Sequence, residues 1–345
     1  MRADVLIRPA GLPDRATVGI WTPSFPAPAR FPRRFTRALG ALADHGFAVR
    51  LAPSTTADDG LLAAEPSQLA AELHSLLAEP EVNIVLAAVG GYTSLAVAPH
   101  LDFDFIAAHA KPIIGYSDLT SILWAVLARS SLVTFHGPMV VSEWGEAGGP
   151  LSFTTDNFTR VLAPWSGPIE LMAPSAWTDE LLWWDRDDTR PRETQAGTWR
   201  CVIPGTVEGP LLAGCLPTAG ALIGTPYLPD LDGAVLCLET NEMSPERCYG
   251  LLVQWRESGL LNRIAGLVIG RHCRPRARGD GARDFDRVFL AALGSRRIPV
   301  LADVDFGHTQ PMLTLPLGVT CRLDADERRL TLLTTAVVER RAGTR

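Results

Sequence analysis

The sequence predicts an α/β protein with an N-terminal parallel-sheet domain of the Rossmann or flavodoxin-like kind and a smaller mixed α/β C-terminal domain. Three observations carry that expectation. Short apolar runs in the first half are continuous rather than alternating, as in Asn83–Val89 (NIVLAAV), which suits strands covered on both faces. Segments with helical spacing separate those runs, the pattern of repeated βα units. At 345 residues, 47% hydrophobic and 20% charged, the chain is a globular protein too long for one ordinary core.

In order, Thr17–Trp21 (TVGIW) reads as the first strand, followed by a proline-rich loop. Phe35, Leu39, Leu42 and Ala43 recur at helical spacing, and Gly46 is placed to stop that helix. Phe47–Leu51 is a second strand and Ser67–Leu77 a second amphipathic helix. Asn83–Val89 ends in Gly90-Gly91, and Pro112–Ile114 ends in Gly115-Tyr116-Ser117, with a helix over Asp118–Ala128 and a further run at Leu132–Phe135. From Pro164 to Arg200 the periodicity fails. Trp165, Trp177, Trp183, Trp184 and Trp199 crowd this segment, which reads as a functional loop or crossover. Beyond Val207 come glycine-punctuated strands (PLLAGCL, GAVLCLE, AGLVIG), one helix at Pro245–Glu257, and a closing strand pattern, RLTLLTTAVVE. The expected division is 1–165, a crossover at 166–205, and 206–345.

Composition removes several classes of function. A net charge of -6 gives no general attraction to nucleic acid or anionic membranes. No apolar stretch is long enough to span a bilayer, and the opening residues lack a secretory leader's apolar region. The six cysteines form no CxxC pair and several lie in apolar runs, so they read as reduced core thiols of a cytoplasmic protein, without a metal site. No GxGxxG follows a strand, which disfavours a nucleotide-binding oxidoreductase.

In open α/β sheets ligands gather beyond the carboxyl ends of the strands, where both glycine turns fall. Ser117, in PIIGYSDLT, stands between a strand and a helix, the position of a nucleophile elbow; a plain helix cap is the competing reading. The amides of Gly91 and Asp118 form a two-donor oxyanion hole if the strands are adjacent, and Gly90 lets the backbone approach a ligand. Of the seven histidines, His308 lies in a turn-rich loop (DVDFGHTQPM) and is the first candidate base. His136, at a strand end in TFHGPM, is the second, with a structural or substrate-orienting role as its alternative. Glu239 ends the buried strand GAVLCLE, where a carboxylate needs a partner; Glu242 and Glu246 fall in the following loop and helix start.

Together VGGYTS, PIIGYSDLTSIL, TFHGPM, GAVLCLET and DFGHTQPM resemble, in order and spacing, the LD-carboxypeptidase family of serine peptidases. The resemblance runs from Thr17 to Leu330. It implies a Ser-Glu-His triad of Ser117, Glu239 and His308 on two domains, no cofactor, and a homodimer. Val89 stands where murein LD-carboxypeptidases carry arginine, which is similar to the microcin C self-immunity branch. That branch implies a tryptophan loop stacking on a nucleotide base. Trp177–Asp185 and Trp199 resemble that loop, making Trp177 and Trp184 substrate-binding candidates, with core packing as the alternative. Pro217 departs from the polar residue of relatives. The implied substrate is a peptidyl- or aminoacyl-nucleotide, and the implied role is detoxification of an antibiotic. A murein tetrapeptide carboxypeptidase and a non-catalytic nucleotide- or peptide-binding protein are the alternatives.

Overall fold

The computed structural model of the chain describes residues 6–274 and 281–340. The apolar runs of the first half become five parallel strands: β1 (Thr17–Trp21), β2 (Ala48–Leu51), β3 (Val82–Ala87), β4 (Ile113–Gly115) and β5 (Phe135–His136). Their spatial order is β2-β1-β3-β4-β5, the flavodoxin-like order. Every residue of β3 and β4 is buried, as continuous apolar runs demand. Prolines open the helices Pro32–Asp44, Pro66–Ala78 and Pro245–Glu257, where a missing N–H costs nothing. Gly46 follows the first of these with φ 82°, the left-handed cap that ends it.

The crossover contributes to the second half of the molecule. It supplies β6 (Ile169–Leu171), the paired short strands β7 (Ala176–Trp177) and β8 (Gln195–Ala196), and β9 (Arg200–Ile203). After it come β10 (Thr206–Cys215), β11 (Val235–Glu239), β12 (Gly266–Gly270), β13 (Val300–Val304), β14 (Leu315–Pro316), β15 (Thr320–Asp324) and β16 (Arg329–Leu332). The second sheet runs β6-β16-β15-β10-β11-β12-β13-β9, with a parallel centre from β10 to β13 and antiparallel flanks. The short β14 leaves this half and pairs antiparallel with β5 at the edge of the first sheet.

One helix joins the halves. Thr120–Ser130 is buried on nearly every side because it lies between the first sheet and β10. Trp124 Nε1 donates to the Ala213 carbonyl at 2.8 Å, and Thr120 Oγ1 accepts the Cys215 amide at 3.0 Å. The helix that begins at Ser117 is thereby fixed to the strand beside Glu239.

Two local expectations change. A second long helix, Gly281–Leu293, follows the one at Pro245–Glu257; it buries Phe285, Phe289, Ala292 and Leu293 at helical spacing, a pattern obscured by the arginines before it. The closing strand also stops at Leu332. Beyond it the chain crosses to the N-terminal segment, where the amides of Gly11 and Val338 bond the carbonyls of Val338 and Pro9. All six cysteines are free, with Cys201 exposed and the others buried. Among the described residues no helix is long and apolar enough to cross a membrane.

Candidate active site

Ser117 follows β4 at φ 60°, a left-handed conformation uncommon for a residue with a side chain. The sharp turn leads into the helical turn Ser117–Leu119 and then the interdomain helix, so the hydroxyl stands at the carboxyl edge of the sheet. β3 and β4 are neighbours, which brings Gly90 against Ser117. A β-carbon at Gly90 would sit 2.9 Å from Ser117 Oγ, and one at Gly91 would run into Ser24 Oγ. Only glycine fits this loop. Among the described residues neither the Gly91 amide nor the Asp118 amide donates to a protein acceptor, and both residues border the cleft at Ser117. The Asp118 carboxylate is engaged elsewhere, accepting from Ser24 Oγ at 2.6 Å and the Ser94 amide at 2.8 Å, and so anchors the glycine loop.

His308 follows β13 and reaches across the domains. Its Nε2 lies 2.9 Å from Ser117 Oγ and its Nδ1 lies 2.7 Å from Glu239 Oε2. A carboxylate only accepts, so Nδ1–H donates to Glu239 and Nε2 is left to accept a hydrogen bond from the Ser117 hydroxyl. Glu239 ends β11 in full burial. Burial pushes its pKa up, but the charge and hydrogen bond of His308 outweigh this and hold it below the ordinary value.

Gly90, Gly91, Tyr116, Ser117, Trp184 and His308 line a cleft of about 400 Å³. Trp184 packs edge-on against Phe31 at 5.3 Å, with the Arg34 guanidinium 4.8 Å from its ring. Two other expected substrate contacts lie elsewhere. His136 is fully buried, and its Nε2–H donates to the Phe306 carbonyl at 2.6 Å. Burial lowers its pKa to about 4. It therefore ties β5 to the loop that carries His308 instead of facing substrate. Trp177 is outside the cleft because its ring covers the Arg271 guanidinium at 4.5 Å. Trp199 is buried and donates to Asp305. Among the described residues no cluster of His, Cys, Asp and Glu side chains is placed to hold a metal ion.

Residues 18–137 match the N-terminal domain of LD-carboxypeptidases, and residues 208–323 match their C-terminal domain. The chain belongs to the LD-carboxypeptidase family. It is a serine carboxypeptidase-type hydrolase, and its similarities extend over nearly the whole length. The microcin C7 self-immunity protein MccF of Escherichia coli is 30% identical, with 92% of each chain covered. A probable murein peptide carboxypeptidase of Bacillus subtilis is 27% identical over 96% of this chain and 94% of its own. The structure of MccF in complex with glutamyl sulfamoyl guanosine aligns with a TM-score of 0.92 and 28% identity, covering 96% of this chain and 99% of that one.

This LD-carboxypeptidase also holds polar groups around its cleft that sequence patterns did not single out. Arg34 is fully buried on the helix Pro32–Asp44, pairing with Glu146 and Asp188 and donating to the Val141 and Ser142 carbonyls. Asp185 accepts the amides of Arg33 and Arg34 at the start of that helix. These contacts fasten the tryptophan segment to the first domain. Glu143, Gln310, Arg192 and Arg274 also line the cleft. A buried charge on an amphipathic helix has no signature in spacing alone.

Proposed function

We propose that the chain hydrolyses a peptidyl- or aminoacyl-nucleotide at the bond between the acyl carbonyl and the nucleotide, with Ser117, His308 and Glu239 as its triad. The observation that carries the chemistry is the continuous chain of hydrogen bonds at 2.9 and 2.7 Å from Ser117 through His308 to Glu239. Ser117 passes its proton to His308 Nε2 as Oγ attacks the carbonyl carbon. The amides of Gly91 and Asp118 receive the oxyanion. His308 returns the proton to the leaving nitrogen as the C–N bond breaks. Water, deprotonated by the same nitrogen, then releases the acyl group from the serine. Glu239 keeps the imidazole in the required tautomer and stabilises its charged form.

Support for the nucleotide comes from the likeness to MccF bound to glutamyl sulfamoyl guanosine and from Trp184 on the cleft wall. Detoxification of such a compound in a reducing cytoplasm fits the free thiols. The second reading is cleavage of a murein tetrapeptide, favoured by the likeness to the Bacillus subtilis carboxypeptidase. Hydrolysis of a peptidyl-adenylate analogue and of an L,D-tetrapeptide, each by wild type and Ser117→Ala, tests both. Ser117-dependent cleavage of the adenylate alone is expected. Cleavage of the tetrapeptide alone selects the second reading, and cleavage of neither removes both.

A further inference from the structure

One buried carboxylate connects the segment carrying Ser117 with the segment carrying His308. Glu143 is 1% exposed and lies in the π-helical turn Val140–Trp144, an irregularity that often marks functional sites. Its Oε1 accepts from Tyr116 Oη at 2.9 Å and from Gln310 Nε2 at 2.9 Å, and its Oε2 accepts from the Met139 amide at 2.8 Å. Tyr116 directly precedes Ser117, and its ring meets His308 edge-on at 5.0 Å. Gln310 follows His308 by two residues, and its backbone exchanges hydrogen bonds of 2.7 and 2.9 Å with Thr178 of the tryptophan segment. Glu143 thus stands where three segments of the cleft wall converge.

An ionised carboxylate has lone pairs for all three donors, so each donor is satisfied at Glu143, while Gln310 Oε1 is buried without a partner among the described residues. Satisfying three donors does not by itself account for a charge in this place. Burial pushes the Glu143 pKa up, a cost that apolar packing in place of the carboxylate and its donors together would avoid. What an apolar side chain cannot do is bind Tyr116 and Gln310 to one point with defined directions.

We propose that Glu143 is a positioning residue: through Tyr116 and Gln310 it sets the separation and orientation of Ser117 and His308. This rests on the triad reading above. A small fluorophosphonate tests it, because the serine displaces fluoride from phosphorus without needing the substrate-binding contacts of the cleft. Counting labelled sites separates the folded fraction from the rate at each site. In Glu143→Gln and in Tyr116→Phe, the labelling rate per titrated site is expected to fall about tenfold or more. The kcat for substrate should fall with it while KM stays near the wild-type value. Combining the two changes should be no worse than the more damaging single change, since both act on the same link. Wild-type labelling rates at the titrated sites of these variants would overturn the proposal. If Glu143→Gln yields no titratable sites, the isosteric Tyr116→Phe decides by the same criterion. Labelling of wild type that persists in Ser117→Ala, or fails in wild type, removes the triad reading and this proposal together.

Discussion

Ser117 Oγ occupies space that a β-carbon on Gly90 would approach to 2.9 Å. The contact follows from the register of β3 and β4, which places the two turns side by side. Gly90→Ala must displace either the serine or the glycine loop, and the Asp118 contacts to Ser24 and Ser94 resist the second. The expected outcome is a kcat reduced about a hundredfold, because reacting groups tolerate little misplacement. Steady-state hydrolysis checks this, with far-UV circular dichroism unchanged. Wild-type turnover would mean that the loop gives way.

Glu239→Gln replaces the acceptor of the His308 Nδ1 proton with an amide of the same size. If the amide nitrogen faces the ring, the imidazole takes the other tautomer and Nε2 can no longer accept from Ser117. A fall in kcat of about 10³ to 10⁴ is expected, as with other triad acids. The fold should persist, since the carboxylate is replaced by a polar group that keeps an acceptor in the same pocket. A loss of under tenfold would point to a different orienting group.

The contrast between Ser117 and Glu143 shows what the sequence exposed. Ser117, Glu239 and His308 each sit at the end of an apolar strand or in a turn-rich loop, so position alone marked them as candidates. Gly90-Gly91 was visible because paired glycines interrupt an apolar run. Glu143 and Arg34 carry no such mark, since their partners come from distant segments: Glu143 meets Gln310 across 167 residues, and Arg34 meets Asp188 across 154. The tryptophans were equally visible, but composition could not say which faces the cleft. Trp177 goes to Arg271 and Trp184 to Arg34, a choice made by the two buried ion-pair networks.

Trp184 gives a prediction that separates the two substrate readings. Stacking of a base on an aromatic ring contributes about 1–3 kcal/mol. Trp184→Ala should therefore raise KM for a peptidyl-adenylate about tenfold or more, with a smaller change in kcat. A tetrapeptide has no base, and its KM should stay within about twofold. Equal effects on both substrates would assign Trp184 to the shape of the cleft and not to base recognition.

Acid stability should depend on His272. Burial lowers its pKa from 6.5 to about 4, outweighing the nearby Asp303 and Glu239 carboxylates that act in the opposite sense. Its Nδ1 lies 2.8 Å from Thr240 Oγ1, and its ring stacks on Phe285 at 3.7 Å. As pH falls through 6.5 the unfolded chain takes up a proton that the folded chain refuses until about 4. The stability that a neutral His272 contributes is therefore complete above that window and is lost on descending through it. Between neutral pH and pH about 4.5, the loss assigned to this group is about 2 to 3 kcal/mol. His272→Gln does not titrate there, so its unfolding free energy should fall by that much less than wild type over the same interval, even though the variant starts less stable. Urea denaturation of both proteins at the two pH values measures the difference, and parallel losses would show that His272 is protonated as readily folded as unfolded.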